Sequence, residues 1–197
     1  MSGPSSPDLV RVQKISAACA VACGAAAIAV PLSVIATWAL ESPTAPKAVL
    51  SGLSLLSDAG MRHVGDPAWV FPGGIRPWQR VVGAVISMIP ALIQSYGLLR
   101  ARSALMAFAR GEFFIATIGS GVRDYAAALF WSVAADLALK PVLSLAVTFA
   151  NPPGHGVINI GVSSDDLFRI MSAGIMWVVA AALVRASALA RENEQFV

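Results

Sequence analysis

Charge is what this 197-residue chain has least of. Asp, Glu, Lys and Arg make up 13% of it, against about 25% in a soluble globular domain. That deficit excludes an ordinary water-soluble surface. Histidine is almost absent: there are two, His63 and His155. With Asp66, Asp165 and Asp166 they supply the residue types of a metal site, but no spacing that would gather them. Cys19 and Cys23 are the two cysteines, one helical turn apart in an apolar run. They read as small packing residues rather than a disulfide or metal pair. Nucleotide-binding spacing is missing too: Phe71-Pro72-Gly73-Gly74 is a turn with no Walker or dinucleotide pattern after it. Ser, His and Asp are present, but nothing fixes them into a catalytic set. No catalytic residue, metal or cofactor is therefore expected. The net charge is only +3. It comes from arginines flanking apolar runs, so it speaks of membrane topology rather than a nucleic-acid partner.

What the chain does have is apolar length. Its hydrophobic content is 57% and its mean hydropathy +0.72. The hydrophobic residues gather in four runs, which predicts an all-α integral membrane four-helix bundle. The expected spans are residues 15–40, 81–99, 125–150 and 167–190 of a single domain covering 1–197. Ser6, Pro7 and Asp8 form a helix start ahead of the first span. Arg11 and Lys14 then precede a run far longer than the core of a cleavable signal peptide, so this helix is retained. Pro31, Pro90 and Pro141 each fall inside a span. Each removes a backbone hydrogen bond and should kink its helix. Gly24 and Gly174, with many alanines, let neighbouring helices approach closely. Gln94 and Ser95 are placed to hydrogen-bond between helices.

The connections differ in character. The first is long and broken by prolines. Val49, Leu50, Leu53 and Leu56 have the spacing of a short surface helix. Trp69, Phe71 and Trp78 suit an interfacial belt. The second carries Arg100, Arg102, Arg110 and Arg123. Leu98, Ala101, Leu105 and Phe108 share a helical face, and Gly111 is a stop signal. This predicts a helical hairpin against the headgroups. The third has no Lys or Arg. Residues 157–162 alternate as in a short strand, and Ser164 with Asp165 and Asp166 begins the last helix. With both termini cytoplasmic, Arg11, Lys14, Arg100, Arg102, Arg110, Arg123, Arg185 and Arg191 lie inside. Lys47, Arg62, Arg76, Arg80 and Arg169 lie outside. That bias obeys the positive-inside rule. The first loop is then outer, the second cytoplasmic.

The third span carries the most telling pair. Asp136 and Lys140 lie near its centre, four residues apart on one face, with Pro141 beside them. Charges at such depth are costly and usually have a reason. The acid precedes the base, the better order for an ion pair. Lys140 has donors for both Asp136 and the Leu137 carbonyl that Pro141 leaves unpaired. The pair is either a self-satisfied structural kink or a midplane relay for a proton or ion.

Two stretches resemble a known family. One is Phe108-Ala109-Arg110-Gly111-Glu112-Phe113-Phe114, followed by Val122-Arg123. The other is the ending from Ala186-Ser187-Ala188-Leu189-Ala190-Arg191-Glu192-Asn193-Glu194-Gln195 to Phe196-Val197. Together with the four-span plan they resemble the bacterial membrane-protein family called "domain of unknown function 2975". The chain carries Phe113-Phe114-Ile115-Ala116-Thr117 where that family more often shows phenylalanine, a small residue and proline. The resemblance implies a bacterial inner-membrane location. Family genes often neighbour a small helix-turn-helix regulator, which implies a regulatory or accessory role. The leading expectation is thus a non-enzymatic accessory or regulatory protein. Its partners would be the lipid bilayer and another membrane protein or a second copy. The alternative is a small oligomeric transporter or channel using Asp136 and Lys140.

Overall fold

The computed structural model describes residues 7–40, 75–111, 116–149, 151, 158 and 160–194. The fold is an all-α four-helix bundle with no strand among the described residues. The helices are α1 (Pro7–Leu40), α2 (Pro77–Ala109), α3 (Ala116–Thr148) and α4 (Ser164–Glu194). All four are long and apolar enough to cross a membrane, which makes this a multi-pass membrane protein. At 33 residues, α2 and α3 are each about 50 Å long, against a hydrocarbon core of about 30 Å. Their ends therefore extend well into the headgroup layers.

Each helix is longer than its expected span. The largest difference is at the second connection, residues 100–124, which the sequence predicts to be a helical hairpin resting against the headgroups. Instead α2 continues unbroken to Ala109 and α3 is already under way at Ala116. No Gly or Pro interrupts the chain between residues 98 and 110, so adding each further residue to an existing helix is favourable. The stop comes at Gly111, whose φ of 80° is the left-handed conformation that ends helices. Its amide donates to the Phe108 carbonyl. Pro31, Pro90 and Pro141 all lie inside continuous helices, and none ends one. Ile158, Ile160, Gly161 and Val162 do not form the expected strand. A strand needs a partner, and the described residues offer none. The surface helix around Val49, Leu50, Leu53 and Leu56, and Trp69 and Phe71, lie outside the described residues.

The described chain forms two compact units. The first comprises Met1–Ala29, Ile93–Phe130 and Arg169–Val197. It packs through small residues. A Cβ on Gly97 would come 2.6 Å from the Ala128 Cβ, and one on Gly119 would come 2.6 Å from Val184 Cγ2. Ala20, Ala104, Ala107, Ile118 and Ala126 are buried. The expected role of Ser95 does not materialise: its hydroxyl is buried with no hydrogen-bond partner among the described residues. The second unit comprises Val30–Leu92 and Trp131–Phe168. Its α1 segment inserts Trp38, which is buried against Gly83 and donates its indole N–H to Ser87 Oγ at 3.3 Å.

Candidate functional site

The second unit concentrates its polar groups at helix ends, and α3 is the element they converge on. The start of α2 shows the pattern. Arg76 is the capping residue: its carbonyl accepts from the Gln79 and Arg80 amides. Pro77 follows at the first helical position, where its missing N–H costs nothing. Gln79, two residues on, turns its side chain back. Its Oε1 accepts the Arg76 amide at 2.6 Å, as in a capping box. Its Nε2 donates at 2.6 Å to the carbonyl of Val147. That carbonyl lies in the last turn of α3 and has no partner within its own helix. Gln79 is buried, at 2% exposure, so one amide ties two helix ends together. Arg80 does the same for α1, donating to the Ala39 carbonyl at 3.3 Å.

The start of α4 repeats the device with charge. The cap is Ser163, one residue before the expected Ser164. Ser163 Oγ accepts the Asp166 amide at 3.2 Å, and Asp166 Oδ2 accepts the Ser163 amide at 2.8 Å. This is a reciprocal capping box with Asp at its third position. The same Oδ2 takes a 2.6 Å ion pair from Lys140 Nζ. Lys140 also donates to the Gly161 carbonyl at 3.4 Å. Asp136 stands 3.8 Å from the ammonium.

The geometry thus ranks the partners of Lys140. Asp166 is nearest and almost fully buried, its side chain 4% exposed, while that of Asp136 is 38% exposed. The carbonyl contacted is Gly161's, not Leu137's. Depth differs as well. Lys140 reaches the third residue of α4 and lies eight residues, about 12 Å, before the end of α3. That is near the edge of a hydrocarbon core rather than its centre. Lys140 and Val147 are seven residues apart, two turns, and so share one face of α3. This face holds both α2 and α4 at their first turns. Ser144 and Thr148, also buried, turn their hydroxyls to carbonyls of their own helix, Pro141 and Ser144 respectively.

Gln79, and the pairing of Asp166 with Lys140, escaped the sequence reading, which sought partners by local helical spacing. Their signals were present as Ser163-Ser164-Asp165-Asp166 and Arg76-Pro77-Trp78-Gln79: a capping position and, three residues on, a side chain that can reach back.

The expected surface arginines belong to the first unit. Arg100 donates through Nε and Nη2 to Asp124 Oδ2 at 2.8 and 2.6 Å. Arg102, Arg110 and Arg123 are exposed. The stem of Arg102 lies along α1 at Gly24, where a Cβ would stand 3.2 Å from its Cδ. Counted over the sequence, the first unit carries nine Lys and Arg against five Asp and Glu, and the second five against six. Among the described residues, no three His, Cys, Asp or Glu come together as metal ligands.

No family model, curated protein or solved structure matches this chain.

Proposed function

We propose that this chain is an accessory or regulatory protein of the bacterial inner membrane, with both termini cytoplasmic and no chemistry of its own. The observation that carries this reading is the engagement of Lys140. Its ammonium is held by Asp166 at 2.6 Å and Gly161 at 3.4 Å, with Asp136 at 3.8 Å. A cation so fixed clasps the start of α4 to α3. A relay needs a group that can exchange partners along a path. The structural role of the pair is thereby favoured over the transporter reading. Support for the location comes from the cation excess of the first unit, which fits the positive-inside rule, and from the resemblance to the family of unknown function. The working contacts would be with another membrane protein or a second copy.

Three experiments test this. The chain purified from its native membrane should bring down one stoichiometric membrane partner or a second copy, and proteoliposomes containing it should show no ion or proton flux above lipid alone. A flux abolished by Asp136→Asn would replace this reading with the transporter. For orientation, single cysteines at Ser57 and Gly154, in a chain lacking Cys19 and Cys23, should label in intact cells. One at Ser103 should label only after permeabilisation. Labelling of Ser103 in intact cells reverses the topology.

A further inference from the structure

Among its described residues, the first unit holds cations that no carboxylate pairs with. Arg102, Arg123 and Arg185 are exposed, and none makes a hydrogen bond or ion pair with a described residue. Arg100 has taken Asp124. The three come from three helices, yet they lie in one layer. A Cβ on Gly121 would meet the Ala104 Cβ at 2.9 Å and the Arg100 carbonyl at 3.0 Å, and one on Gly119 would meet Val184. Residues 100–104 of α2, 119–121 of α3 and 184 of α4 are therefore level. Arg102 lies within that stretch, Arg123 is two residues from Gly121, and Arg185 adjoins Val184.

Depth fixes what this layer meets. Arg102 stands seven residues before the end of α2, and Arg123 seven after the start of α3. Each is about 10 Å from its helix end. Helices about 50 Å long exceed the hydrocarbon core by about 20 Å, or 10 Å at each end. The guanidinium layer thus falls where hydrocarbon gives way to phosphate. Exposed apolar side chains adjoin it: Leu99 and Met106 flank Arg102 on α2, and Val184 precedes Arg185. The layer pairs planar phosphate-binding groups with surfaces that suit acyl chains.

We propose that Arg102, Arg123 and Arg185 form an anionic-phospholipid site, which retains lipids with a net negative phosphodiester headgroup in preference to zwitterionic ones. Arg102 is the best-placed member. Its stem rests on Gly24, with Cδ, Nε and Cζ 3.2, 3.3 and 3.5 Å from where a Cβ would be. A larger residue there would displace it. The site does not depend on which side of the membrane the first unit faces.

The test uses the full chain reconstituted in vesicles of equal phosphatidylglycerol and phosphatidylcholine, then extracted in mild non-ionic detergent. Bound lipid is counted by native mass spectrometry. Phosphatidylglycerol should be enriched at low salt and less so in high salt. Each Arg→Gln change should lower the enrichment about five-fold, the effect of one cation at a charged interface. Arg76→Gln, an exposed cation of the second unit, should leave it unchanged. Equal retention of both lipids, or equal enrichment in Arg102→Gln/Arg123→Gln/Arg185→Gln and the parent chain, overturns the proposal. So does an equal loss in Arg76→Gln. Complete displacement of phosphatidylglycerol by millimolar inorganic phosphate would also overturn it, because the layer would then recognise a free anion rather than a lipid. If the triple variant does not fold, Arg102→Gln against Arg102→Lys decides. Lysine keeps the charge and should retain more lipid than glutamine, and no difference between the two counts against the site.

Discussion

In the second unit the polar side chains are spent on helix ends. Gln79 serves Val147, Arg80 serves Ala39, and Lys140 joins Asp166 across two helices. In the first unit the helices meet through Gly97, Gly119 and Gly121 instead, and the cations stay on the surface. The difference has a physical origin. Two helices begin and two end in the second unit's described segments, and helix ends carry unpaired amides and carbonyls. In a bilayer such groups are expensive unless another protein group meets them. The first unit also has two helix starts and two helix ends, but its glycine contacts lie inside the helices, at Gly97 of α2 and in the first two turns of α3. There backbone groups are already paired and close approach is what stabilises. One unit is locked by directional bonds, the other by shape.

That contrast is broken most severely at Lys140. Asp166→Asn removes the partner at 2.6 Å, whose side chain is 4% exposed, and leaves an ammonium only 18% exposed. Stranding one member of a buried pair costs about 3–5 kcal/mol. Asp136→Asn touches a group 38% exposed at 3.8 Å, and should cost under about 1 kcal/mol, as exposed pairs do. Lys140→Met with Asp166→Asn should recover much of the loss, because the one carboxylate that then lacks the lysine, Asp136, is 38% exposed. Thermal unfolding in detergent measures all three. If Asp136→Asn proves the worse single change, the ranking of partners drawn from these distances is wrong.

The ranking also marks where the sequence could be read and where it could not. The four spans were visible because about 20 apolar residues in a row have one common explanation. Gly111 was visible as a stop because a positive φ suits glycine. The Asp136 pair is present at 3.8 Å, but the nearer partner of Lys140 was missed because spacing along one helix sees only that helix. Asp136 is four residues away and Asp166 twenty-six. Nothing in periodicity says which helix start lies beside residue 140. The capping pattern at Ser163 told that Asp166 could fold back, not that a lysine would be waiting. Trp38 was missed for the same reason: its partner Gly83 is a small residue with no signal of its own. The helical face through Phe108 and the stop at Gly111 were legible, but not that these segments over residues 100–124 continue the spans without a break. Arginine is a good helix former, and charge ends only the membrane-buried part.

Gly83 tests shape in the unit otherwise locked by bonds. A Cβ there would overlap the Trp38 ring, which is buried and tied to Ser87. The ring is rigid and cannot yield as a flexible chain would. Gly83→Ala should therefore destabilise by about 1–3 kcal/mol, as overpacked sites do. Adding Trp38→Leu to Gly83→Ala should restore part of this. Trp38→Leu alone should be destabilising, since it empties the same space. An alanine at residue 83 that leaves unfolding unchanged would mean that α1 and α2 separate easily here.

Gly174 is the smallest and sharpest probe of the first unit. The sequence placed it among close-packing glycines, yet a Cβ there would meet nothing within 4 Å. Met171, Ile175, Trp177 and Val178, close by on α4, are exposed as well. Within one chain, Gly174→Ala should thus be neutral, or stabilising by up to about 1 kcal/mol from helix propensity alone. Gly119→Ala, in the same unit, is the control: its Cβ would come 2.6 Å from Val184, and it should destabilise. The pair becomes informative when unfolding is measured twice, on the isolated chain in detergent and on the complex captured from native membranes. A neutral result in both leaves this face of α4 to lipid. A loss confined to the complex has a different cause. No described residue comes within 4 Å of the new methyl group, so such a loss points to a helix of another molecule packed at that glycine. The accessory role proposed for this protein would then have its contact face.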